Sequence, residues 1–94
     1  MAAHAIPDFH DFRPEKAARE VITRGFTCLD DFSHQNEESA LHELLDALGF
    51  AADEMEIVTD TFNTALGPVR VFRNPGRATM EQGRAFVAKH VPMP

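Results

Sequence analysis

Leu41, Leu44, Leu45 and Leu48 recur at the i, i+3, i+4, i+7 spacing that gathers apolar side chains on one face of a helix. This period predicts a helix over residues 36–48. Asn36 is placed to accept from the unpaired amides of the first turn, and Glu37 and Glu38 oppose the positive end of the dipole. Gly49 suits the left-handed residue that ends a helix, with Phe50 expected to fold back onto the leucines.

The same pattern gives the remaining elements. Pro14 fits the first turn of a helix closed by Gly25, with Ala17, Ala18, Val21 and Ile22 as its apolar stripe. Its outer side pairs Glu15 with Arg19, Lys16 with Glu20, and Glu20 with Arg24 at i, i+4. Residues 26–29, 55–59 and 69–73 are β-prone; in the last, Val69 and Val71 face one way and Arg70 and Phe72 the other. Residues 60–66 are ambiguous, because Asp60 can cap a short helical turn that Gly67 and Pro68 would end. Asn74-Pro75-Gly76 marks a turn. Thr79 with Gln82 makes a capping box for a last helix reaching about His90, whose inner face carries Met80, Gly83, Phe86, Val87 and Val91.

This order is not β-α-β alternation. It predicts an α+β fold: a small antiparallel sheet of two or three strands packed with about three helices, lying on one face, in a single compact domain spanning residues 1–94. Residues 1–12 read as a loosely ordered leader, although Phe9 and Phe12 are spaced to cover one edge of the core. A hydrophobic fraction of 44% with eight phenylalanines suffices for one core. One cysteine, Cys28, admits no internal disulfide and reads as a small buried hydrophobe. No apolar run approaches the roughly 18 residues of a membrane span, and no signal-peptide pattern opens the chain, so the expectation is a cytoplasmic protein with no membrane partner.

Charge changes the picture more than composition does. The net charge is −6, and from Gly25 to Val69 there is no Lys or Arg against ten Asp and Glu residues. From Arg70 onward, Arg70, Arg73, Arg77, Arg84 and Lys89 face Glu81 alone. A chain so charged repels a polyanion, which disfavours direct nucleic-acid binding, and leaves the C-terminal arginines to neutralise the acidic half or to form a second contact surface. Acidic and basic patches on one chain also admit a homodimer.

Several residue groups are candidates for chemistry. Glu38, His42 and Asp46 stand at i, i+4, i+8, so the imidazole sits between two carboxylates; the plainer reading is a solvated helix face. His10 with Asp8 and Asp11, and His34 with Asp30 and Asp31, supply ligand types suited to zinc or iron without a diagnostic spacing. Ala2-Ala3-His4, were Met1 removed, would suit square-planar copper or nickel, though a variable terminus is the plainer reading. His90 reads as a histidine favoured by the negative end of its helix. No phosphate-cradling glycine loop, nucleophile elbow or dinucleotide fingerprint is present, so no catalytic residue and no cofactor is assigned.

The resulting functional reading is a small, acidic, non-enzymatic protein–protein interaction module, with an inhibitor or nucleic-acid mimic as one form. It would dock Glu37, Glu38, His42, Glu43, Asp46, Asp53 and Glu54 on a basic protein surface. The alternative is a metal-binding protein or enzyme built on His10, Asp11, Asp31 and His34.

Overall fold

Three helices and a three-stranded antiparallel sheet make up the computed structural model, which describes residues 12–30, 37–65 and 67–92. In chain order they are α1 (Pro14–Arg24), β1 (Phe26–Asp30), α2 (Glu37–Leu48), a 3-10 helix (Gly49–Glu54), β2 (Val58–Thr64), β3 (Gly67–Arg73) and α3 (Met80–His90). The strand order β1-β3-β2 puts β3 in the middle. No helix among the described residues is long and apolar enough to cross a membrane.

The sheet is covered on both sides, and the expectation of helices on one face is wrong. The alternation read in β3 explains the outcome, because both of its faces carry a fully buried residue. Val69 and Val71, with Phe26, Cys28 and Phe62 from the flanking strands, meet Val87 and Val91 of the α3 segment. Phe72 and Leu29 on the opposite face meet Ala17, Ala18 and Val21 of α1 and Ala40, Leu44 and Leu48 of α2. Phe72 and Leu44 are both 0% exposed. Burial of such a side chain contributes roughly 2–3 kcal/mol. One helix thus covers one face and two cover the other.

The β2–β3 hairpin resolves the ambiguous stretch. Residues 60–64 are strand rather than a capped helical turn, and Thr64 stands opposite Gly67, so two residues join the strands. Asp60 lends no cap because it faces Arg73, while Phe62 is buried under α3. Pro68 lies in the central strand one residue beyond the last described pairing with β1, Asp30 with Val69. Met55 and Ile57, read as strand, precede β2 and pack beneath α1 and α2.

The helices follow their boundary signals. α1 begins at Pro14, and Gly25 at φ +97° closes it by donating to the Glu20 and Val21 carbonyls. Thr79 and Gln82 form both arms of the capping box on α3. Two apolar positions differ from the reading: Ile22 and Met80 are 49% and 41% exposed. Each lies beyond the strip its helix turns to the sheet. Gly83 is buried where α3 meets the sheet, and a Cβ there would lie at ordinary contact distance, 3.4 Å, from a Val71 methyl. Phe12 packs against the α1–α2 side of the core, as its spacing suggests; residues 1–11 of the expected leader, Phe9 included, lie outside the described residues.

Candidate functional site

The period of α2 sorts its residues into two sides. Ala40, Leu44 and Leu48 are buried, Leu41 and Leu45 half-buried at the margin. Everything else turns to solvent: Glu37, Glu38, His42, Glu43 and Asp46 are exposed, as are Asp53 and Glu54 on the 3-10 helix. All seven residues expected on a docking surface therefore stand at the surface of two consecutive helical segments.

Gly49 governs how those segments join. It adopts φ +61°, as its place after Leu48 suggests, and nothing stands within 4 Å of where a Cβ would be. The chain then winds as a 3-10 helix, three residues to a turn, so residues three apart lie one above the other. Ala52 and Met55 take the inward side and pack against the core. Phe50 and Asp53 take the outward side, leaving Phe50 92% exposed. Phe50 does not fold back onto the leucines, because the inward row of this winding is already occupied by Ala52 and Met55.

The two charge halves meet within the molecule. Arg70 Nε, on β3, donates to Glu37 Oε1 at the start of α2. Arg73 donates from Nε to Asp60 Oδ2 at 2.7 Å, from Nη2 to Asp60 Oδ1 at 3.2 Å, and from Nη1 to the Ala78 carbonyl at 3.1 Å. The hydrogen bond with Asp60, reinforced by its charge and opposed by burial, holds the Arg73 guanidinium above its ordinary pKa. Glu37 thus serves the fold as well as the surface. Asp46, Asp53 and Glu54 are exposed at the outer boundary.

An open groove of about 300 Å³ lies between the first turn of α1 and the outer side of α2, lined by Pro14, Glu15, Glu43, Asp46 and Ala47. Three carboxylates beside Pro14 and Ala47 suit a basic side chain better than an anion. The crevice between α1 and β1, at about 10 Å³, has room for about one water and none for a substrate. No group of three or more His, Cys, Asp and Glu suited to a metal occurs among the described residues. His10, Asp11, Asp31 and His34 lie outside them, as do His4 and Asn36.

Sequence reasoning missed an arginine stack on the opposite side of the sheet from α2. Arg24 lies 4.6 Å from the Phe26 ring centre and 4.4 Å from that of Phe86, and its Nε donates to the Phe26 carbonyl. Its Nη2 is 3.4 Å from Glu20 Oε1, an oxygen that also accepts from Thr27 Oγ1. Only the Glu20–Arg24 spacing was visible, since the two rings come from elements that are distant in sequence. His90 continues the stack 4.5 Å from Phe86 and is exposed in the last turn of α3. Cys28 is 1% exposed, consistent with a small core residue. Compared with protein-family models, curated proteins and solved structures, the chain matches none.

Proposed function

We propose that this protein is a non-enzymatic interaction module that docks the outer face of α2 and the following 3-10 helix on a basic protein surface. The observation that carries this reading is the common exposure of Glu38, His42, Glu43, Asp46, Asp53 and Glu54 on two consecutive segments whose sequence contains no Lys or Arg. Carboxylates left in one sign over such a surface produce a directional field that accelerates encounter with a basic partner and disfavours acidic ones. An inhibitor that covers a nucleic-acid-binding surface is one form this takes. Cytoplasmic residence fits a fold that needs no disulfide and keeps its one thiol inside the core.

The test is retention of partners by the tagged protein at low salt, followed by release in a rising salt gradient. The wild type is expected to hold a specific basic protein that leaves at moderate salt. A variant with Glu38→Lys, Glu43→Lys and Asp46→Lys, shown by its melting curve to be folded, is expected to lose it. Equal retention by the two proteins would remove α2 from the docking surface.

A further inference from the structure

Phe50 is the residue that the fold itself does not use. Its ring is 92% exposed, while Phe26, Phe62 and Phe72 are 6%, 4% and 0% exposed. The molecule also shows what its rings attract. Arg24 lies over Phe26 and Phe86, and Arg84 lies over Phe62 with its guanidinium carbon 5.1 Å from the ring centre. Each is a cation held against the negative face of an aromatic quadrupole. Phe50 has an open face, and the segment around it, from Gly25 to Val69, supplies no cation of its own.

The surroundings of that ring state the chemistry of what would cover it. In the 3-10 helix Asp53 is eclipsed with Phe50, one turn further along and likewise exposed. An aromatic face with a carboxylate above it matches a guanidinium, which stacks through its plane and donates hydrogen bonds through its edge. An ammonium has no plane to stack and is more strongly hydrated, so lysine is the poorer fit.

We propose that Phe50 and Asp53 together receive an arginine side chain presented by the basic partner. This rests on the docking reading and names the contact within it. The expected occupant is an exposed, arginine-bearing segment of a basic protein. Phe50 supplies the desolvating contact that selects arginine, and the carboxylates of α2 supply attraction that does not distinguish it from lysine.

The experiment uses two probes, a short peptide of alternating Arg and Gly and its Lys counterpart, titrated into the full chain at low ionic strength. The wild type is expected to bind the arginine peptide about two- to fivefold more tightly than the lysine peptide, the range for an exposed cation–π contact. Phe50→Leu keeps an apolar side chain but no quadrupole, and it is expected to bind both peptides equally. Asp53→Asn is expected to weaken the arginine peptide more than the lysine peptide. A preference that survives Phe50→Leu, or one absent from the wild type, would overturn the arginine receptor. The Glu38, Glu43 and Asp46 reversals separate the two proposals. If they abolish binding while Phe50→Leu changes nothing, the docking face stands and the receptor falls. If they change nothing while Phe50→Leu removes the preference, the receptor stands and α2 leaves the docking face. Binding of neither peptide would overturn both.

Discussion

Arg73 grips both carboxylate oxygens of Asp60 from the adjacent strand, two residues beyond the one directly opposite it. Asp60 stands opposite Val71, so Arg73 is its diagonal neighbour on the α3 side of the sheet. Their side chains are only 12% and 14% exposed, which places a charge-assisted, bidentate pair where an unpaired charge would be costly. Removing one partner by Asp60→Ala is expected to destabilise the protein by about 3 kcal/mol, much of it from stranding Arg73. Replacing both, as Asp60→Val with Arg73→Leu, is expected to cost less than the sum of the single changes. Urea unfolding of the four proteins measures the coupling, and strict additivity would show that the pair contributes nothing as a pair.

The pH dependence of that pair follows from Arg73. Its folded-state pKa is raised, so its contribution is complete below the ordinary arginine value and is lost only as pH rises through the still higher folded value. Between about pH 7 and 10 the guanidinium keeps its charge in both states. The stability difference between wild type and Arg73→Leu is therefore expected to be flat over that window, as read from unfolding midpoints. A difference that shrinks on approach to pH 10 would mean that Arg73 is not held as described.

Two glycines separate backbone strain from steric fit. Gly25 combines φ +97° with a site where a Cβ would stand 2.7 Å from the Ala78 Cβ, and its carbonyl accepts from the Asn74 amide at 2.8 Å. Gly49 has φ +61° in open space. Gly49→Ala is expected to cost about 1 kcal/mol, the price of a left-handed backbone alone. Gly25→Ala is expected to cost about 1–3 kcal/mol more, because the 74–78 turn must also shift. Equal losses in chemical denaturation would contradict the close approach of that turn to the end of α1.

Leu44 of α2 and Phe50 of the 3-10 helix that follows it make a matched pair for measuring burial. Leu44→Ala removes a fully enclosed side chain and is expected to cost about 2–5 kcal/mol. Phe50→Ser, although it deletes a larger apolar group, is expected to stay within about 0.5 kcal/mol of wild type because the ring already faces water. A large loss at Phe50 in thermal melts would show that the ring packs in solution.

How much of this was legible depended on the range of the interactions that decide each element. α1, α2 and α3 were visible because a helix is settled by neighbours three and four residues apart and by local caps such as Pro14, Gly25 and Thr79. The strand at residues 60–64 was not, because Asp60 with a Gly-Pro pair seven residues further on carries the same local signal as a capped helical turn, and Arg73 decides the matter from the neighbouring strand. Phe50 failed for a related reason. Its direction is set by the change from α to 3-10 winding after Gly49, and the composition of residues 49–54 has no period that announces it. The acidic face was legible in full as exposure, whereas the use of Glu37 as a partner of Arg70 required the tertiary fold.

Cys28, enclosed at 1% exposure in β1 opposite Val71, makes the protein its own gauge of opening. A thiol reagent can reach that sulfur only when β1 or the helix above it moves away, so the rate of labelling reports how often this side of the core opens. Changes confined to the outer surface of α2 leave that clock unaltered, and changes that loosen the sheet speed it up. Loss of binding and loss of structure can thus be told apart in the same tube, with no probe added to the chain.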